Sequence, residues 1–537
     1  MSRRGRVLVV DDEDRWRDLL GSTLRAGGFE ADTAGAVEEA LERLATGFYH
    51  LLVVDIRMVH NDPANTGGMS LLRELEESGL LGASEVIMLS AYGTLQQMRE
   101  AFARHKVADF LSKEDFDNIE FLDLVRKTFQ EKVRVNPDLI IHWEQSHGPE
   151  EMMVNLRLGE ERVKRDSPRL ARLALELEDL LCRLFVRAES LMIKPLTQGH
   201  SGSAVLLATP FYADSGAGQP VVVKFGDVGE IDAEYQNFKA YVQNFIGGTR
   251  STSVIDLRRT PHLGGIVYSM LGSGGERLES FEKFYARSDI GEIKELLNRL
   301  FLETCGPWYA NPGRLQPRDL AAEYERLLNL TQVNLQHAIA QGLKSVQGKN
   351  RLHLNDLPGE RTFANPVLVV GNQRFIKPTY VCTTHGDLNE NNILVDELRH
   401  AWLIDFRRTG SGHILRDVAE LDTIIRIQLL NHEDASLEER LEMEDVLCSA
   451  AHFSEVAELE ERFPTKNEAI AKAYAIAIHL RLIAYKLVER NPSDDIGEYY
   501  IALLYNALGY TRFLSLPNMQ RQHALISASL MADRIGV

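Results

Sequence analysis

Five side chains in the first 130 residues have the types and order needed to hold a phosphoryl group beside a divalent cation. Each stands at the end of a short apolar run. Asp11 and Asp12 follow Val7–Val10, Asp55 follows Leu51–Val54, Ser90 follows Val86–Leu89, and Lys113 follows Phe110-Leu111-Ser112. Runs this short and this rich in β-branched residues read as strands. The stretches between them, such as Trp16 to Leu24, Ala36 to Leu44, Leu71 to Leu75 and Met98 to Phe102, carry helical spacing. Strands alternating with helices build a parallel sheet whose carboxyl ends converge on one edge, where ligands bind. Three carboxylates gathered there repel one another unless a cation sits between them, and an all-oxygen donor set suits Mg²⁺. The Ser90 hydroxyl and the Lys113 ammonium could hold the oxygens of a phosphoryl group carried by one carboxylate.

A second constellation lies far downstream. His385-Gly386-Asp387-Leu388-Asn389-Glu390-Asn391-Asn392 is followed by Ile393-Leu394-Val395 and then by Leu403-Ile404-Asp405-Phe406. Asp387 and Asn392 share a loop, and Asp405 opens the next loop after a strand. This spacing lets Asp387 point at a substrate hydroxyl while Asn392 and Asp405 share metal ions that bridge nucleotide phosphates, the groups phosphoryl transfer needs. Upstream, Gln198-Gly199-His200-Ser201-Gly202-Ser203 is a small-residue turn between strands, where backbone N–H groups can approach phosphates. Alone, such a turn usually means a bare hairpin. Lys224 stands by itself in the apolar run Val221–Phe225, in position to reach a phosphate, against the plainer reading of a Lys on a half-exposed edge. Glu234, ten residues later on a helix, is its expected ion-pair partner, with Glu230 one turn earlier as the fallback.

The elements around these motifs divide the chain into expected segments. Residues 1–133 carry the strand–helix alternation. Residues 134–191 read as a linker with an amphipathic helix from about Pro168 to Leu191, its apolar stripe being Leu170, Leu173, Leu177, Leu180, Leu181 and Leu184. That helix is equally compatible with an interdomain lever, a dimerising surface or plain packing. Residues 192–275 read as strands with one helix, about Ile231–Phe245, and end in Gly265–Met270 and a glycine-rich hinge that puts Met270 near an adenine. Residues 276–537 are mainly helical, interrupted by a strand-loop-strand unit at Val381–Ile404.

The first constellation, over about residues 5–130, resembles the receiver domain of bacterial response regulators. The resemblance implies that Asp55 accepts phosphate from a cognate histidine kinase. It implies that Asp11, Asp12, Asp55 and the backbone carbonyl of Arg57 bind Mg²⁺, that Ser90 and Lys113 sense the phosphoryl group, and that Phe110 is the rotating aromatic. Two features depart from the pattern: a longer loop, Arg57–Gly68, which holds Asp62 and Asn65, and Glu114 where a Pro normally follows the Lys.

The second constellation, over about residues 193–425, resembles the aminoglycoside-phosphotransferase branch of the protein-kinase-like superfamily, which also holds choline and fructosamine kinases. His-Gly-Asp in place of His-Arg-Asp and Gly-x-Ser-Gly-Ser in place of a three-glycine loop point to that branch. The resemblance makes Asp387 the catalytic base and Asn392 and Asp405 the metal ligands. It gives Lys224 and Glu234 the phosphate-holding pair and places ATP against Gly199, Ser201, Gly202, Ser203, Lys224 and Met270. Arg416-Asp417-Val418-Ala419 looks like the branch's downstream element, with Asp417 as a structural brace. Asp405-Phe406-Arg407 lacks the glycine of Asp-Phe-Gly, as this branch usually does. Arg407, Arg408 and His413 could contact substrate, although surface charge explains them more simply.

The expected fold is therefore α/β plus α+β: a doubly wound parallel-sheet receiver followed by a two-lobed kinase-like domain with a β-rich N-lobe and a helical C-lobe. Composition agrees with this, at 537 residues, 44% hydrophobic and 26% charged, and rules out disordered and collagenous classes. A net charge of −18 weighs against a nucleic-acid-binding surface, and no basic helix-turn-helix signal is visible. Four cysteines without Cys-x-x-Cys pairing favour a reducing, cytoplasmic setting. No window approaches the ~18 apolar residues of a membrane span. The expectation is a two-component response regulator whose output is an ATP- and Mg²⁺-dependent phosphotransferase acting on an unidentified acceptor, with homodimerisation open. The alternative is a nucleotide-binding pseudokinase that serves as a phosphorylation-switched scaffold.

Overall fold

A computed structural model describes residues 5–58, 67–77, 84–91, 101–103, 105, 107–144, 148–197, 203–243, 252–270, 278–342, 350–353 and 361–535. The chain divides into two compact units, one made of residues 1–235 with 253–270, the other of residues 236–252 with 271–537.

The first unit opens with a five-stranded parallel sheet: β1 (Arg6–Val10), β2 (Glu30–Ala34), β3 (Leu51–Asp55), β4 (Glu85–Ser90) and β5 (Asp109–Ser112), in spatial order β2-β1-β3-β4-β5. Alternation of side chains explains why the central strands read as unbroken apolar runs. Val7, Val9, Leu51, Val53, Ile87 and Leu89 are buried on one face, and Leu8, Val10, Leu52, Val54, Val86 and Met88 on the other. A parallel sheet covered on both sides needs this pattern. β2 has no such run: in Glu-Ala-Asp-Thr-Ala only Ala31 and Ala34 are buried, which is why sequence patterning passes over this edge strand.

Residues 134–191 do not behave as the linker that their mixed composition suggests. Ile140–Trp143 pairs in parallel with Ser190–Thr197 and joins a sheet ordered Thr252–Arg259, Leu263–Met270, Val221–Asp227, Ser203–Tyr212, Ser190–Thr197, Ile140–Trp143. The amphipathic helix runs over Leu170–Leu184 and stops there, because Leu191-Met192-Ile193 is committed to the next strand. Its stripe is spent on packing. Leu173, Leu177, Leu180 and Leu181 are fully buried with Leu206, Val223 and Phe225 of the sheet, each worth roughly 1.5–3 kcal/mol of burial. The expected helix over Ile231–Phe245 is Val228–Asn237, continued by a π-helical turn at Phe238–Val242.

The second unit is mainly helical, with long helices at Glu468–Val488, Gly497–Thr511 and Asn518–Ile535. Tyr499, Tyr500 and Tyr505 are buried core residues. Arg426 pairs with Asp422 and Glu444, and Arg481 pairs with Asp422 at 3.1 Å, all without solvent exposure. Each guanidinium is thus compensated, without which its burial would be prohibitive. Two short antiparallel pairs, Val381–Thr384 with Gly410–His413 and Ile393–Asp396 with Ala401–Leu403, carry the downstream motif. Among the described residues, no helix is long and apolar enough to cross a membrane.

Candidate functional sites

At the carboxyl edge of the five-stranded sheet, the parallel register brings the first constellation together. Asp55 pairs in register with Leu89, and Ser90 with Ser112. Lys113 then enters from the end of β5, with its N–H donating to the Ser90 carbonyl at 2.9 Å. Its Nζ reaches Asp55 Oδ2 at 2.7 Å, Asp11 Oδ2 at 2.8 Å and Glu13 Oε1 at 3.7 Å. Asp11, Asp12 and Asp55 offer carboxylate oxygens that all lie within 4.8 Å of one another. The backbone N–H of Arg57 donates to Asp55 Oδ1 at 3.3 Å, and Phe110 is partly buried against the core. Gly68 passes so close that a Cβ there would stand 2.0 Å from the Asp55 carbonyl oxygen. Asp62 and Asn65, in the long loop, lie outside the described residues.

The electrostatics fit a cation. Burial pushes Asp11 up to about 6, Lys113 works against that shift, and Asp55 adds to it. Burial likewise raises Asp55, against its bond to Lys113. Burial disfavours the charge on Lys113, but its bonds to Asp11 and Asp55 outweigh that and raise it. One ammonium thus serves three close carboxylates, and a divalent ion with oxygen preference would relieve the remaining repulsion.

In the same unit, Lys224 and Glu234 form a buried ion pair at 2.6 Å, and Tyr268 Oη donates to the second Glu234 oxygen at 2.5 Å. Of the two candidates, Glu234 takes the partner role. The backbone N–H of Glu230 donates to Asp227 at the start of the helix. Tyr268 carries no motif in the sequence. It faces Glu234 because Leu263–Met270 pairs antiparallel with the strand of Lys224, placing Tyr268 opposite Val222. Ser203 begins its strand opposite Gly226. Gly199, Ser201 and Gly202 lie outside the described residues, as does the side chain of Met270.

In the second unit, the downstream motif is built by cross-strand bonds. The Ile404 N–H donates to the Asn392 carbonyl at 3.1 Å, which sets Asn392 beside Asp405. Asn392 Nδ2 donates to the Asp387 carbonyl at 2.8 Å. Asp405 is left-handed, with φ 70° and ψ 65°, a strained backbone held only where its surroundings over-determine it. Asp417 braces the loop from 31 and 32 residues away in sequence. Its two oxygens accept from the N–H groups of His385 and Gly386 at 2.7 and 2.9 Å and from Tyr309 Oη at 2.8 Å. Gly386, at φ +84°, has no room for a side chain: a Cβ would stand 2.4 Å from the Arg408 carbonyl. His385 is buried and its ring is held neutral by that burial, with Nε2 donating to the Ile404 carbonyl at 3.0 Å.

Arg408 Nη1 comes within 3.6 Å of Asp387 Oδ1. His413 is fully buried between Tyr324 and Glu498, which removes it from any substrate contact. Two acids near Asp387 went unnoticed in the sequence. Burial pushes Glu390 up to about 7, and burial together with Asp387 and Asp417 pushes Glu420 up to about 8.

Comparison with known families matches these regions separately. Residues 188–344 and 343–509 match the family described as ternary complex associated domain 9, together more than half of the chain. The chain belongs to this family. Residues 7–126 match the response regulator receiver domain, so the acidic site on the five-stranded sheet is that of a receiver. Receiver domains bind Mg²⁺ at such a cluster and are phosphorylated by cognate histidine kinases.

The transcriptional regulatory protein ZraR of Escherichia coli (strain K12) is 28% identical over 114 residues, covering 21% of this chain and 24% of ZraR. The chain thus spans about a quarter of that relative's length. An uncharacterized 14.6 kDa protein of Leptolyngbya boryana is 35% identical over 121 residues, 22% of this chain and 87% of that protein. The response regulator protein TrrA of Thermotoga maritima, solved in complex with Mg(2+)-BeF, is 32% identical, with 23% of this chain and 97% of that chain covered and a TM-score of 0.20.

Proposed function

We propose that this receiver-bearing member of the family is a two-component response regulator whose output is an ATP- and Mg²⁺-dependent phosphotransferase, regulated through phosphorylation of Asp55. The observation that carries the reading is the buried 2.6 Å pair between Lys224 and Glu234. An ion pair sealed from water is weak support for stability. It is, however, the arrangement that aims an ammonium at nucleotide phosphates. In the second unit Asn392 and Asp405 are the groups that would hold Mg²⁺, and Asp387 would accept the proton of the acceptor hydroxyl as its oxygen bonds to the γ-phosphorus of ATP and the γ-phosphorus parts from the bridging oxygen, which leaves with ADP. Incubation of the full chain with labelled ATP, Mg²⁺ and cognate lysate tests this. Wild type should transfer label, Asp387→Asn should lose about 10²–10⁴-fold, and Asp55→Glu should change the rate. Transfer undiminished in Asp387→Asn overturns the catalytic assignment.

A second reading, a nucleotide-binding scaffold, draws on the family's description as associated with a ternary complex. Stabilisation by Mg·ATP without transfer to any protein or metabolite would favour it.

A further inference from the structure

The amino edge of the receiver sheet, opposite the edge that holds Asp55, is hydrogen-bonded to the remainder of its own unit. His50 immediately precedes β3. The backbone N–H of Arg6 donates to His50 Nδ1 at 2.9 Å, so the ring proton lies on Nε2, which donates to Asp179 Oδ1 at 2.6 Å. Both residues are buried. Burial by itself would raise Asp179, but Arg183 and His50 hold it well below the usual carboxylate range, so it is charged. From the same helix, Leu170–Leu184, Arg172 donates to the carbonyl of Ala45 in the receiver.

The bonds continue past this helix. Arg183 Nε donates to Asp179 Oδ2 at 2.8 Å, and Arg183 Nη1 donates to the Arg259 carbonyl at 3.2 Å. Arg259 Nε donates to Asp232 Oδ1 at 2.7 Å. Asp232 stands two residues before Glu234 on the helix Val228–Asn237. The helix Leu170–Leu184 also bonds through Glu176 to the backbone N–H of His262 at 2.7 Å. Its Leu180 packs so tightly on Gly265 that a Cβ there would stand 2.9 Å from Leu180 Cδ2.

We propose that the phosphorylation state of the receiver reaches the Lys224–Glu234 pair through the chain His50–Asp179–Arg183–Arg259–Asp232, leaving the receiver by the amino edge of its sheet. β3 connects the two edges: Asp55 ends it and His50 precedes it, roughly 16 Å apart at about 3.3 Å per residue. A strand buried on both faces shifts as a body rather than bending. The buried, charged Asp179 then has few satisfied alternatives and must carry its helix along. The assignment of an effect on phosphoryl transfer rests on the proposed function; the coupling itself does not.

Amide hydrogen exchange on the full chain, with and without Mg²⁺ and beryllofluoride as a phosphoryl mimic at Asp55, tests it. In wild type the mimic should alter exchange by about 5-fold or more in Leu170–Leu184, in residues 253–259 and in Val228–Asn237, and Asp55→Ala should show none of this. Asp179→Asn should confine the response to the receiver. Arg259→Gln, at a side chain 40% exposed and tolerant of change, should keep the response in Leu170–Leu184 and lose it in Val228–Asn237. Should Asp179→Asn fail to fold, Arg259→Gln decides. A wild-type response that stops at residue 133, or an undiminished one in Val228–Asn237 of Arg259→Gln, overturns the proposal. Absence of ATP turnover alongside an intact exchange response sinks the phosphotransferase reading and leaves the coupling standing.

Discussion

In the receiver, one pattern of strand pairing delivers the candidate site residues: Asp11, Asp12, Asp55, Ser90 and Lys113 all stand at carboxyl ends of adjacent parallel strands. The other candidate residues share no such edge. Lys224, Glu234 and Tyr268 meet through an antiparallel register and a helix in one unit, while Asp387, Asn392 and Asp405 are held in the other by bonds that span the sequence, such as Asp417 to His385. The charge balance differs as well. Lys113 faces three acids within 3.7 Å, a surplus that invites a cation. The Lys224–Glu234 pair balances charge for charge and has Tyr268 on its second oxygen. A site of the first kind is specified chemically and tolerates loss of one of its charges. A site of the second kind is specified by its supports and fails when they do.

The sharpest way to test that contrast is to remove one central charge from each. Asp55→Asn should abolish acid-labile phosphate from a small phosphodonor while the chain stays folded, because the receiver's packing does not depend on that charge. Mass spectrometry of the treated protein checks it. Lys224→Met should instead destabilise the first unit by about 3–5 kcal/mol, since Glu234 is left buried and uncompensated. Denaturant titration measures this, and a Lys224→Met chain as stable as wild type breaks the distinction.

Supports come next. Gly386→Ala places a methyl group 2.4 Å from the Arg408 carbonyl at a left-handed backbone. Strain and overpacking together should cost about 3–4 kcal/mol in the second unit, read as a lowered calorimetric transition there.

How much of this was legible in the sequence follows the same contrast. The receiver residues were readable because each stands directly after an apolar run, a local signal. Asp387, Asn392 and Asp405 were readable because loop and strand sit within 20 residues. Tyr268 and Glu390 were not, since their roles come from tertiary contacts that leave no spacing. β2 was missed because an edge strand buries too little to show a period. The segment 134–191 misled because Ile140–Trp143 pairs with a strand some 50 residues on. The link from His50 to Asp179 spans 129 positions and leaves no trace in either neighbourhood.

Proton uptake offers a milder test of the second unit. Glu390 rises from an ordinary value of 4.5 to about 7, chiefly through burial. Its folded state therefore favours the protonated form. No penalty exists below about pH 4.5, where both folded and unfolded states are protonated. The penalty grows as pH rises toward 7 and is complete above it. Glu390→Gln keeps the oxygen that accepts from Gln428 and Asn391 and removes the charge. The variant's stability should gain on wild type between pH 5 and 8, by up to about 3 kcal/mol, read by calorimetry across that range. A pH-independent difference would show that Glu390 ionises normally.

The smallest expected effect separates the two acids that the sequence left in competition for Lys224. Both lie on one helix, one turn apart, and local spacing cannot choose between them. The register decides: Tyr268, carried opposite Val222, fixes one oxygen of Glu234 and leaves the other for Lys224. The backbone N–H of Glu230 donates to Asp227 at 3.3 Å. Glu230 is half-exposed where Glu234 is buried, so Glu230→Gln should move stability by no more than about 0.5 kcal/mol and, on the proposed function, leave nucleotide affinity unchanged. Glu234→Gln should behave like Lys224→Met, because it strands the buried ammonium. A Glu230→Gln chain that loses Mg·ATP stabilisation as fully as Glu234→Gln would mean that Lys224 changes partner when nucleotide binds. The proposed nucleotide site would then be set by its ligand rather than by its supports.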